Sequence, residues 1–494
     1  MNKNYEHSEA LSFPRVMISA LSGGAGKTIL SIGIIAALIN RGKDVAPFKK
    51  GPDYIDAGWL ALTAGRKCYN LDTFLVSKKL VIKSFISRSI ESDFALVEGN
   101  RGLYDGIDTE GSTSAAELSK LIDTPVILCV DCTKSTRTMA AAILGCIHFD
   151  PNVDIKGVVL NRVAGTRHKR ILKKNIEYHC GLPVVGAIPK LKKQNFPERH
   201  MGLIPTFEHD WAKEAISYAL KMAKKHLDIE KIIHIAIQAK KLKSDNSYPA
   251  LEITDGKSSS VSISNTNRKF QRTSTFQKPI IRIGVIKDSA FQFYYPENLE
   301  ALCRQGAQLE FISPISDKSL PKLDALYLGG GFPETHLEAL SGNMNFMEEI
   351  RRLVEDGFPI YAECGGLIYL GHSVILNDKS YKMANVFPVE YSFSKKPAGH
   401  GYTILKVENK NPYFEVGTEI RGHEFHYSMA SKWSGNDDDL VFKMKRGVGF
   451  HSKRDGLCYK NVLALYTHIH ALGTPQWATA IIRKAVGYKK QHFK

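Results

Sequence analysis

The sequence has no long hydrophobic run, and this excludes an obvious membrane-spanning segment. The longest apolar stretch near the start, from Ile29 to Ile39, is too short to cross a bilayer. The opening residues MNKNYEHSEALSFPR contain no apolar core of the signal-peptide type. We therefore expect a cytoplasmic protein.

Cysteine is also scarce, with eight residues in a chain of 494. That proportion does not support a disulfide framework. Cys129 and Cys132 form a C-x-x-C pair, but they lie in the apolar run VILCVDC and no second pair is near them in the sequence. We interpret them as residues of a buried strand and its end, in preference to a redox or metal pair.

Nucleic-acid-binding signatures are missing as well, although the formal net charge is +17. We find no helix-turn-helix, zinc-finger or RNA-recognition pattern, and the Lys and Arg residues are scattered along the chain. A solvated basic surface is the simplest interpretation. Attraction of a polyanionic small substrate is another.

What the chain contains in quantity is an alternation of strand-like and helical patterns. The runs VMISAL, DFALVEG, TPVILCVD, IKGVVLNRV and PVVGAIP each fit a buried parallel strand, and a second such series begins after Pro279. At 494 residues the chain is too long for one ordinary domain. We predict an α/β protein, with a doubly wound parallel-sheet P-loop domain followed by a second α/β domain.

A change of composition indicates where these domains meet. The segment 244–278 is rich in Ser, Thr, Asn and Lys and lacks apolar periodicity, so we predict a polar linker there. The predicted organisation is a tail at 1–14, a first domain at 15–243, the linker, and a second domain at 279–494.

A glycine-rich turn, SGGAGKT at 22–28, follows the first strand and opens a helix. In that context backbone amides can surround phosphate oxygens, and the helix N-terminus adds positive potential. The pattern is incomplete, because Leu21 stands where the full P-loop has its first glycine. The predicted ATP-phosphate residues are Gly23, Gly24, Gly26, Lys27 and Thr28, and the threonine hydroxyl is a candidate ligand for Mg²⁺.

Four carboxylates follow predicted strands and are candidates for the same site. Asp53 and Asp56 come after DVAPFKK, Glu98 ends the strand in DFALVEG, and Asp105 lies in GNRGLYDG. Ligands of open parallel sheets bind at the carboxyl ends of the strands. We therefore expect these acids on the same rim as the phosphate loop.

Several motifs between residues 15 and 205 carry a family resemblance. They are SGGAGKT, KKGPDYIDAGW, LDTFL, VEGNRGLYDG, GVVLNRVAGTRH and PERHMGLIP. This half resembles the dethiobiotin-synthetase-like P-loop family and, more closely, the cobyrinate a,c-diamide synthase family. The resemblance implies that Thr28, Asp53 and Glu98 hold Mg²⁺ and the phosphates. It also implies that Tyr54, Ile55, Asp56 and Asp105 face the carboxylate substrate, and that Asn161 contacts adenine.

One position departs from that family pattern. The family commonly has glycine where Ala20 stands. Alanine fits there if its backbone φ angle is negative.

The run FPIYAECGGLIYLG predicts a strand, a sharp turn at Cys364 and a helix. A nucleophile on such an elbow stands above the sheet edge, and we expect the helix N-terminus to help lower its thiol pKa. The N–H of Gly365 is a natural oxyanion donor, and Gly330 in LGGGFPE is a candidate for the second.

The matching general base should be a histidine far along the chain. LYTHIH offers His468 and His470, and GHEFHY offers His423 and His426. From the residues alone these alternatives stay open.

With FQFYYPENLEAL, LGGGFPE and AECGGLIYLG, the two histidine motifs give a second resemblance, covering about 280–477. It is to the class I glutamine amidotransferase domain of cobyrinate and cobyric acid synthases, and it implies His468 as the base. Ordinary members carry a glutamate two positions later, where this chain has His470. Either a Cys–His dyad or an acid from elsewhere must therefore orient His468.

Together the resemblances imply ATP- and glutamine-dependent amidation of the a and c acetate groups of a tetrapyrrole, first of all cobyrinic acid. Acyl phosphates would be the intermediates, and ammonia would come from glutamine at Cys364. Nickel-sirohydrochlorin and sirohaem are alternative substrates for the same chemistry. We expect no nucleic-acid or membrane partner and leave the assembly state open, with a homodimer as one option. A ParA-like ATPase switch would explain the charge and the Gly-Lys-Thr sequence but not Cys364.

Overall fold

A computed structural model describes residues 10–191, 198–199, 202–203, 212–243 and 280–492. Most of the predicted tail and the whole predicted linker lie outside the described residues. The chain divides into two compact units, Met1–Leu251 with Phe293–Pro296, and Glu252–Gln292 with Glu297–Lys494. The domain limits given above stay predictions.

The first unit contains a seven-stranded parallel sheet, as its apolar runs predicted. The spatial order is β4-β3-β5-β2-β6-β7-β8. The bounds are β1 (Ala10–Leu11), β2 (Arg15–Ala20), β3 (Val45–Lys50), β4 (Tyr69–Leu71), β5 (Phe94–Glu98), β6 (Val126–Asp131), β7 (Ile155–Val163), β8 (Val184–Pro189), β9 (Glu198–Arg199), β10 (Gly202–Leu203) and β11 (Leu242–Lys243). β1 pairs with β11, and β9 with β10.

Eight helices connect or cover these strands in the described part of this unit. They are α1 (Lys27–Ile39), α2 (Ile55–Ala64), α3 (Lys78–Ser89), α4 (Ala115–Leu121), α5 (Arg137–Phe149), α6 (Thr166–Cys180), α7 (Ala212–His226) and α8 (Ile229–Ile237). α1 is apolar on nearly all sides and is buried along most of its length. Gly33 lets α7 approach closely, because a Cβ there would lie 3.1 Å from the carbonyl oxygen of Ala219.

The sheet topology places the predicted site at the carboxyl ends of neighbouring strands. β3, β5 and β2 are neighbours, so their carboxyl ends lie side by side. The phosphate loop follows β2, Lys49 is near the end of β3, and Glu98 ends β5, where it is paired in register with Lys49. This arrangement agrees with ligand binding at the carboxyl ends of parallel strands.

The second unit is built on a ten-stranded sheet. Its strands, with those of two smaller sheets, are β12 (Ile281–Ile286), β13 (Phe291–Phe293), β14 (Ala307–Ile312), β15 (Ala325–Leu328), β16 (Gly330–Gly331), β17 (Ile360–Glu363), β18 (Ser373–Leu376), β19 (Lys379–Lys382), β20 (Val389–Phe393), β21 (Gly399–Val407), β22 (Glu419–His426), β23 (Ser428–Trp433), β24 (Leu440–Arg446), β25 (Arg454–Tyr459), β26 (Val462–Leu465) and β27 (His468–Ile469). The order in the large sheet is β14-β12-β15-β17-β26-β25-β24-β21-β22-β27.

The first five strands in that order are parallel and the remaining pairings are antiparallel. Only two residues separate the end of β26 from the start of β27, although β27 is the last strand in the order. The sheet must therefore curl until its tenth strand returns beside its fifth.

Five helices complete the described part of the second unit: α9 (Pro296–Arg304), α10 (Leu337–Gly342), α11 (Met344–Glu355), α12 (Gly365–Tyr369) and α13 (Gln476–His492). Trp477 of α13 is fully buried and packs edge-on against Tyr327 and Tyr361, with ring centroids 5.2 and 5.6 Å apart. These aromatic contacts tie the last helix to the centre of the parallel strands. The doubly wound P-loop fold followed by a second α/β unit is thus confirmed.

No helix in the described ranges is both long and apolar enough to cross a membrane.

Candidate active sites

The phosphate loop joins β2 directly to α1. Gly24 and Gly26 have positive φ angles of 70° and 92°, which only glycine adopts easily. Lys27 is buried, and its Nζ donates hydrogen bonds to the carbonyl oxygens of Arg101 at 2.7 Å and Ser22 at 3.4 Å. Ala20 is the last residue of β2 and is not among the positive-φ residues, so alanine is accommodated there.

Three of the predicted acids surround one buried lysine. Lys49 Nζ lies 2.6 Å from Asp56 Oδ2, 2.7 Å from Glu98 Oε1 and 3.7 Å from Asp53 Oδ2. The hydroxyl of Thr28 donates to Glu98 Oε1 at 2.9 Å, which links the phosphate loop to the acids. The structure thus brings Thr28, Asp53, Asp56 and Glu98 together.

Burial and mutual charge control the protonation of this cluster. Burial raises the pKa of Glu98 and of Asp53, and for Asp53 the neighbouring Asp56 carboxylate adds to the effect. Burial acts in the same direction on Asp56, but the Lys49 ammonium outweighs it and lowers that pKa. For Lys49, the carboxylates of Asp56 and Glu98 overcome its own burial and raise its pKa well above the usual value. Lys49 is therefore a stable positive charge at the centre of the acids.

The oxygen atoms of this cluster fit a magnesium ion bound together with phosphates. Glu98 Oε2 is buried and has no hydrogen-bond partner among the described residues, so it is free to take a ligand. Within the same residues, no three His, Cys, Asp or Glu side chains form a preformed metal cage. Mg²⁺ does not require one, because it usually combines one or two carboxylates with phosphate oxygens and water.

The other predicted residues of the first unit have separate positions. Tyr54 precedes α2, and Ile55 is its buried first residue. Asp105 is exposed, and its Oδ2 accepts a hydrogen bond from the Gly102 N–H at 2.8 Å, outside the Lys49 cluster. Asn161 lies against the phosphate loop, with its Nδ2 donating to the Ala25 carbonyl at 2.8 Å.

Cys129 and Cys132 are buried, unbridged cysteines within β6 and just after it. Burial raises both pKa values to about 12. This agrees with the interpretation of the pair as core residues.

In the second unit Cys364 stands between β17 and α12, as the predicted strand–turn–helix requires. Its φ of 46° and ψ of −96° are strained for a residue with a side chain. Such strain is typical of a nucleophile elbow. Gly366 allows the elbow to approach β15, because a Cβ there would lie 2.6 Å from Cβ of Leu328.

The expected lowering of the Cys364 pKa is not what the structure shows. Burial raises the thiol pKa, and the carboxylates of Glu334 and Glu363 add to it, while the Gly365 N–H opposes the shift. α12 has only five residues, so its dipole is small. A thiolate at Cys364 therefore needs a base to take the proton.

His468 lies beside the elbow, in the buried strand β27. A Cβ on Gly330 would lie 2.4 Å from His468 Cε1, and a Cβ on Gly365 would lie 3.4 Å from the carbonyl carbon of Gly330. The glycine loop predicted to supply an oxyanion donor therefore lies between His468 and the residue after Cys364. The Asp455 carboxylate holds the turn that precedes β27, because it accepts hydrogen bonds from the N–H groups of Tyr466 at 3.0 Å and Thr467 at 3.2 Å.

The alternative histidines occupy other positions. His423 stacks on His468 with ring centroids 4.9 Å apart, and its burial, together with His468, holds its pKa well below the usual value. His426 stacks on Tyr466 at 3.6 Å. His470 is completely buried, with Nε2 3.7 Å from Glu297 Oε1. Of the four, His468 is the one whose ring lies against the loop at the elbow.

Two side chains that the sequence did not single out belong to these sites. Lys49 holds the acids of the first site, and Glu363 Oε2 lies 3.4 Å from His468 Nδ1 in the second. Lys49 is four residues before Asp53 in KKGPD, and Glu363 directly precedes Cys364 in AECGG. That proximity in sequence was the available signal, but it does not show which way a side chain points.

Residues 16–204 match the family described as CobQ/CobB/MinD/ParA nucleotide binding domain. Residues 282–476 match the CobB/CobQ-like glutamine amidotransferase domain. These matches and the two sites define an ATP-dependent carbon–nitrogen ligase that uses glutamine as its amide donor.

Three curated relatives share the name cobyrinate a,c-diamide synthase. The protein of Magnetococcus marinus is 40% identical, over 95% of this chain and 97% of its own. That of Archaeoglobus fulgidus is 36% identical, over 97% and 99% of the two chains. That of Dehalococcoides mccartyi is 37% identical, over 96% and 98%. The chain belongs to the cobyrinate a,c-diamide synthase family.

Proposed function

We propose that this protein amidates the a and c acetate carboxylates of a tetrapyrrole, cobyrinic acid, by way of acyl phosphates. The observation that carries the proposal is the presence on one chain of two different clusters of reactive side chains. One has the phosphate loop and the acids around Lys49, and the other has Cys364 on a strained elbow beside His468. The name shared by the relatives supplies the substrate.

At the second site Cys364 and His468 release ammonia. The thiol proton moves to His468 while sulfur bonds to the amide carbon of glutamine. The Gly365 N–H, with Gly330 as the candidate second donor, stabilises the oxyanion. His468 then gives the proton to the leaving nitrogen as the carbon–nitrogen bond breaks, and water cleaves the thioester to glutamate.

At the first site a substrate carboxylate oxygen attacks the γ-phosphorus of ATP, giving an acyl phosphate and ADP. We assign Lys27 to offset the charge on the transferred phosphoryl group. Ammonia then attacks the acyl carbon, phosphate leaves, and the nitrogen loses a proton to give the amide. Activation is needed because a free carboxylate is a poor electrophile at neutral pH.

Thr28, Asp53 and Glu98 would hold Mg²⁺, which supplies neutralising charge to the phosphates when bound. We assign Tyr54, Ile55, Asp56 and Asp105 to the carboxylate substrate and Asn161 to the adenine.

Exchange of the nitrogen donor tests the two-site mechanism. Cys364→Ala should abolish amidation with glutamine and retain amidation with ammonium salts, because only the glutaminase step uses the thiol. The measurement is product formation by mass spectrometry with each donor. Equal loss with both donors would contradict the assignment of separate sites.

A substrate panel tests the identity of the tetrapyrrole. Cobyrinic acid, nickel-sirohydrochlorin and sirohaem are offered with ATP and glutamine, and each amidation is counted by its mass change. We expect two amidations of cobyrinic acid and no dependence on DNA. Preference for another tetrapyrrole would leave the chemistry intact and correct the substrate.

The ParA-like alternative is weaker because it gives Cys364, Glu363 and His468 no task. The cytoplasmic location and the assembly state, with a homodimer as one option, stay predictions of the sequence.

A further inference from the structure

The base of a cysteine amidotransferase needs a partner on its second ring nitrogen. The sequence position that usually supplies an acid, two residues after the base, is His470. His470 Nδ1 accepts the Leu472 N–H at 3.2 Å, and its Nε2 faces Glu297. Both of its ring nitrogens are therefore directed to other groups.

A different carboxylate lies at the required place. Glu363 is completely buried at the end of β17, immediately before Cys364, and its Oε2 is 3.4 Å from His468 Nδ1. The distance is longer than a good hydrogen bond. Hydrogen bonds of catalytic groups are often long in unliganded structures and shorten when substrate binds.

Three donors fix the orientation of this carboxylate. The Tyr327 hydroxyl donates to Oε2 at 3.2 Å, the Tyr361 hydroxyl to Oε1 at 3.3 Å, and the Ile469 N–H to Oε1 at 3.2 Å. The last of these connects Glu363 to the residue after His468. Because Tyr327 and Tyr361 also pack on Trp477, the carboxylate is attached to a rigid part of the core.

We propose that Glu363 is the positioning residue of the glutaminase site, taking the place of the missing acid two residues after His468. This proposal rests on the roles proposed above for Cys364 and His468. Glu363 accepts the Nδ1 proton of His468, which leaves Nε2 to receive the thiol proton, and it stabilises the imidazolium formed in that transfer. The acid thus comes from the strand of the nucleophile instead of the strand of the base.

The chain offers a matched control for this proposal. Glu297 is an equally buried carboxylate, and it faces His470 in place of His468. Glu363→Gln and Glu297→Gln each remove one buried charge with little change of volume. Only the first removes the partner of the base.

Two measurements are made on the full-length protein. The first is steady-state amidation with glutamine and with ammonium as nitrogen donors. The second is the pH dependence of Cys364 alkylation by iodoacetamide, followed by mass spectrometry of the peptide that contains it. Alkylation reports the thiolate, whose formation depends on transfer of the proton to His468.

For Glu363→Gln we expect kcat with glutamine to fall by about 10²- to 10⁴-fold, as when the orienting acid of a catalytic triad is lost. The KM for glutamine and the rate with ammonium should stay near wild type. The midpoint of the alkylation profile should move to higher pH, because loss of the imidazolium's partner at 3.4 Å outweighs the opposite effect of removing the Glu363 charge from the surroundings of the thiol. Glu297→Gln should keep the wild-type midpoint.

A wild-type kcat and a wild-type midpoint in Glu363→Gln would overturn the proposal. So would a loss of glutamine-dependent kcat in Glu297→Gln that is larger than the loss in Glu363→Gln. If Glu363→Gln does not fold, Glu363→Asp is tested instead, since it keeps the charge but withdraws it from His468. We then expect a smaller loss of kcat and a higher midpoint, and an unchanged midpoint overturns the proposal. If Cys364→Ala still used glutamine, the proposed function itself would be wrong, whatever Glu363 does.

Discussion

At the scale of single residues, the ammonium group of Lys49 keeps three carboxylates within one small volume. The Lys49 side chain is about 1% exposed, and its Nζ lies 2.6 Å from Asp56 Oδ2 and 2.7 Å from Glu98 Oε1. Without a cation at this point, Asp56 and Glu98 would repel each other in a desolvated site. Lys49 thus preserves, before any nucleotide arrives, the arrangement of oxygen atoms that we propose to bind Mg²⁺.

We expect Asp53→Asn and Glu98→Gln each to reduce transition-state stabilisation by roughly 2–4 kcal/mol, by analogy with the loss of one oxyanion-hole donor. Each substitution removes a charge from the group proposed to hold Mg²⁺ against the phosphates. The measurement is kcat/KM with ATP, Mg²⁺ and tetrapyrrole varied separately, alongside the melting temperature.

Asp56→Asn and Asp105→Asn are the comparison, because we assign both residues to the carboxylate substrate. Their KM for the tetrapyrrole should rise more than their KM for ATP. Near wild-type turnover in folded Asp53→Asn and Glu98→Gln would show that the metal assignment is wrong.

The grouping of Asp53, Asp56 and Glu98 was predictable because each lies at or after the end of a parallel strand, and such strands end at a common edge. Asp105 also follows a strand but lies outside the Lys49 cluster. Lys49 was not predictable, since neither of the two consecutive lysines in KKGPD carries a pattern that shows its direction. Glu363 was missed for a similar reason. The usual position of the acid is two residues after the base, whereas the carboxylate nearest to His468 Nδ1 in this chain precedes Cys364.

At the scale of elements, the glycine loop after β15 controls how closely β27 approaches the elbow. In Gly330→Ala the new methyl group would overlap the His468 ring, because Cε1 lies only 2.4 Å from the Cβ position. The backbone N–H is retained, so any loss comes from displacement of the base. We expect glutamine-dependent kcat to fall about 100-fold, a loss that a displacement of about 1 Å can cause.

The control for Gly330→Ala is Gly487→Ala in α13, where a Cβ would meet no atom within 4 Å. It should leave both activities unchanged and slightly favour the helix. Amidation with ammonium should survive in both variants. Full glutamine activity in Gly330→Ala would mean that the base does not use the observed ring position.

The turn between β26 and β27 depends on the carboxylate of Asp455. Burial raises its pKa to about 6, although three backbone N–H groups oppose the shift. The folded state therefore holds the proton more tightly than the unfolded state does, so this group contributes most at low pH. Its contribution should fall by about 2 kcal/mol between pH 4 and pH 7, because the unfolded carboxyl titrates near its usual value.

Urea denaturation of the wild type and of Asp455→Asn at a series of pH values measures that contribution. The difference in unfolding free energy between the two proteins should shift in favour of the variant as the pH rises through 6. A difference that is independent of pH would show that Asp455 titrates normally in the folded protein.

Strand–helix alternation allowed the first sheet and the parallel part of the second sheet to be predicted, because buried parallel strands are continuous apolar runs. Such sequence patterns do not predict the curl of the second sheet. β27 has only two residues, which is too short for any periodicity, and its place beside β22 depends on tertiary contacts.

At the scale of the whole molecule, the polar composition of 258–275 predicts that these residues add nothing to either core. They lie outside the described residues. Deleting them should leave the melting temperature within a few degrees, as expected when less than about 1 kcal/mol is lost. Differential scanning calorimetry of the full-length and shortened proteins measures this.

A large drop in the melting temperature would show that the deleted segment packs against one of the units. The same shortened protein should retain both nitrogen-donor activities, since none of the proposed site residues is removed.

The curl of the second sheet also has a consequence for the order in which the enzyme becomes active during translation. A ribosome releases Cys364 long before β26, β27 and α13, and domains tend to fold as they emerge. Until those last elements arrive, the thiol has neither His468 nor the Trp477 contact that steadies Tyr327 and Tyr361. The phosphate-binding unit, which comes first along the chain, can already be folded by then. On the roles proposed for Cys364 and His468, a growing chain therefore cannot consume glutamine before the site that would use the ammonia has been made.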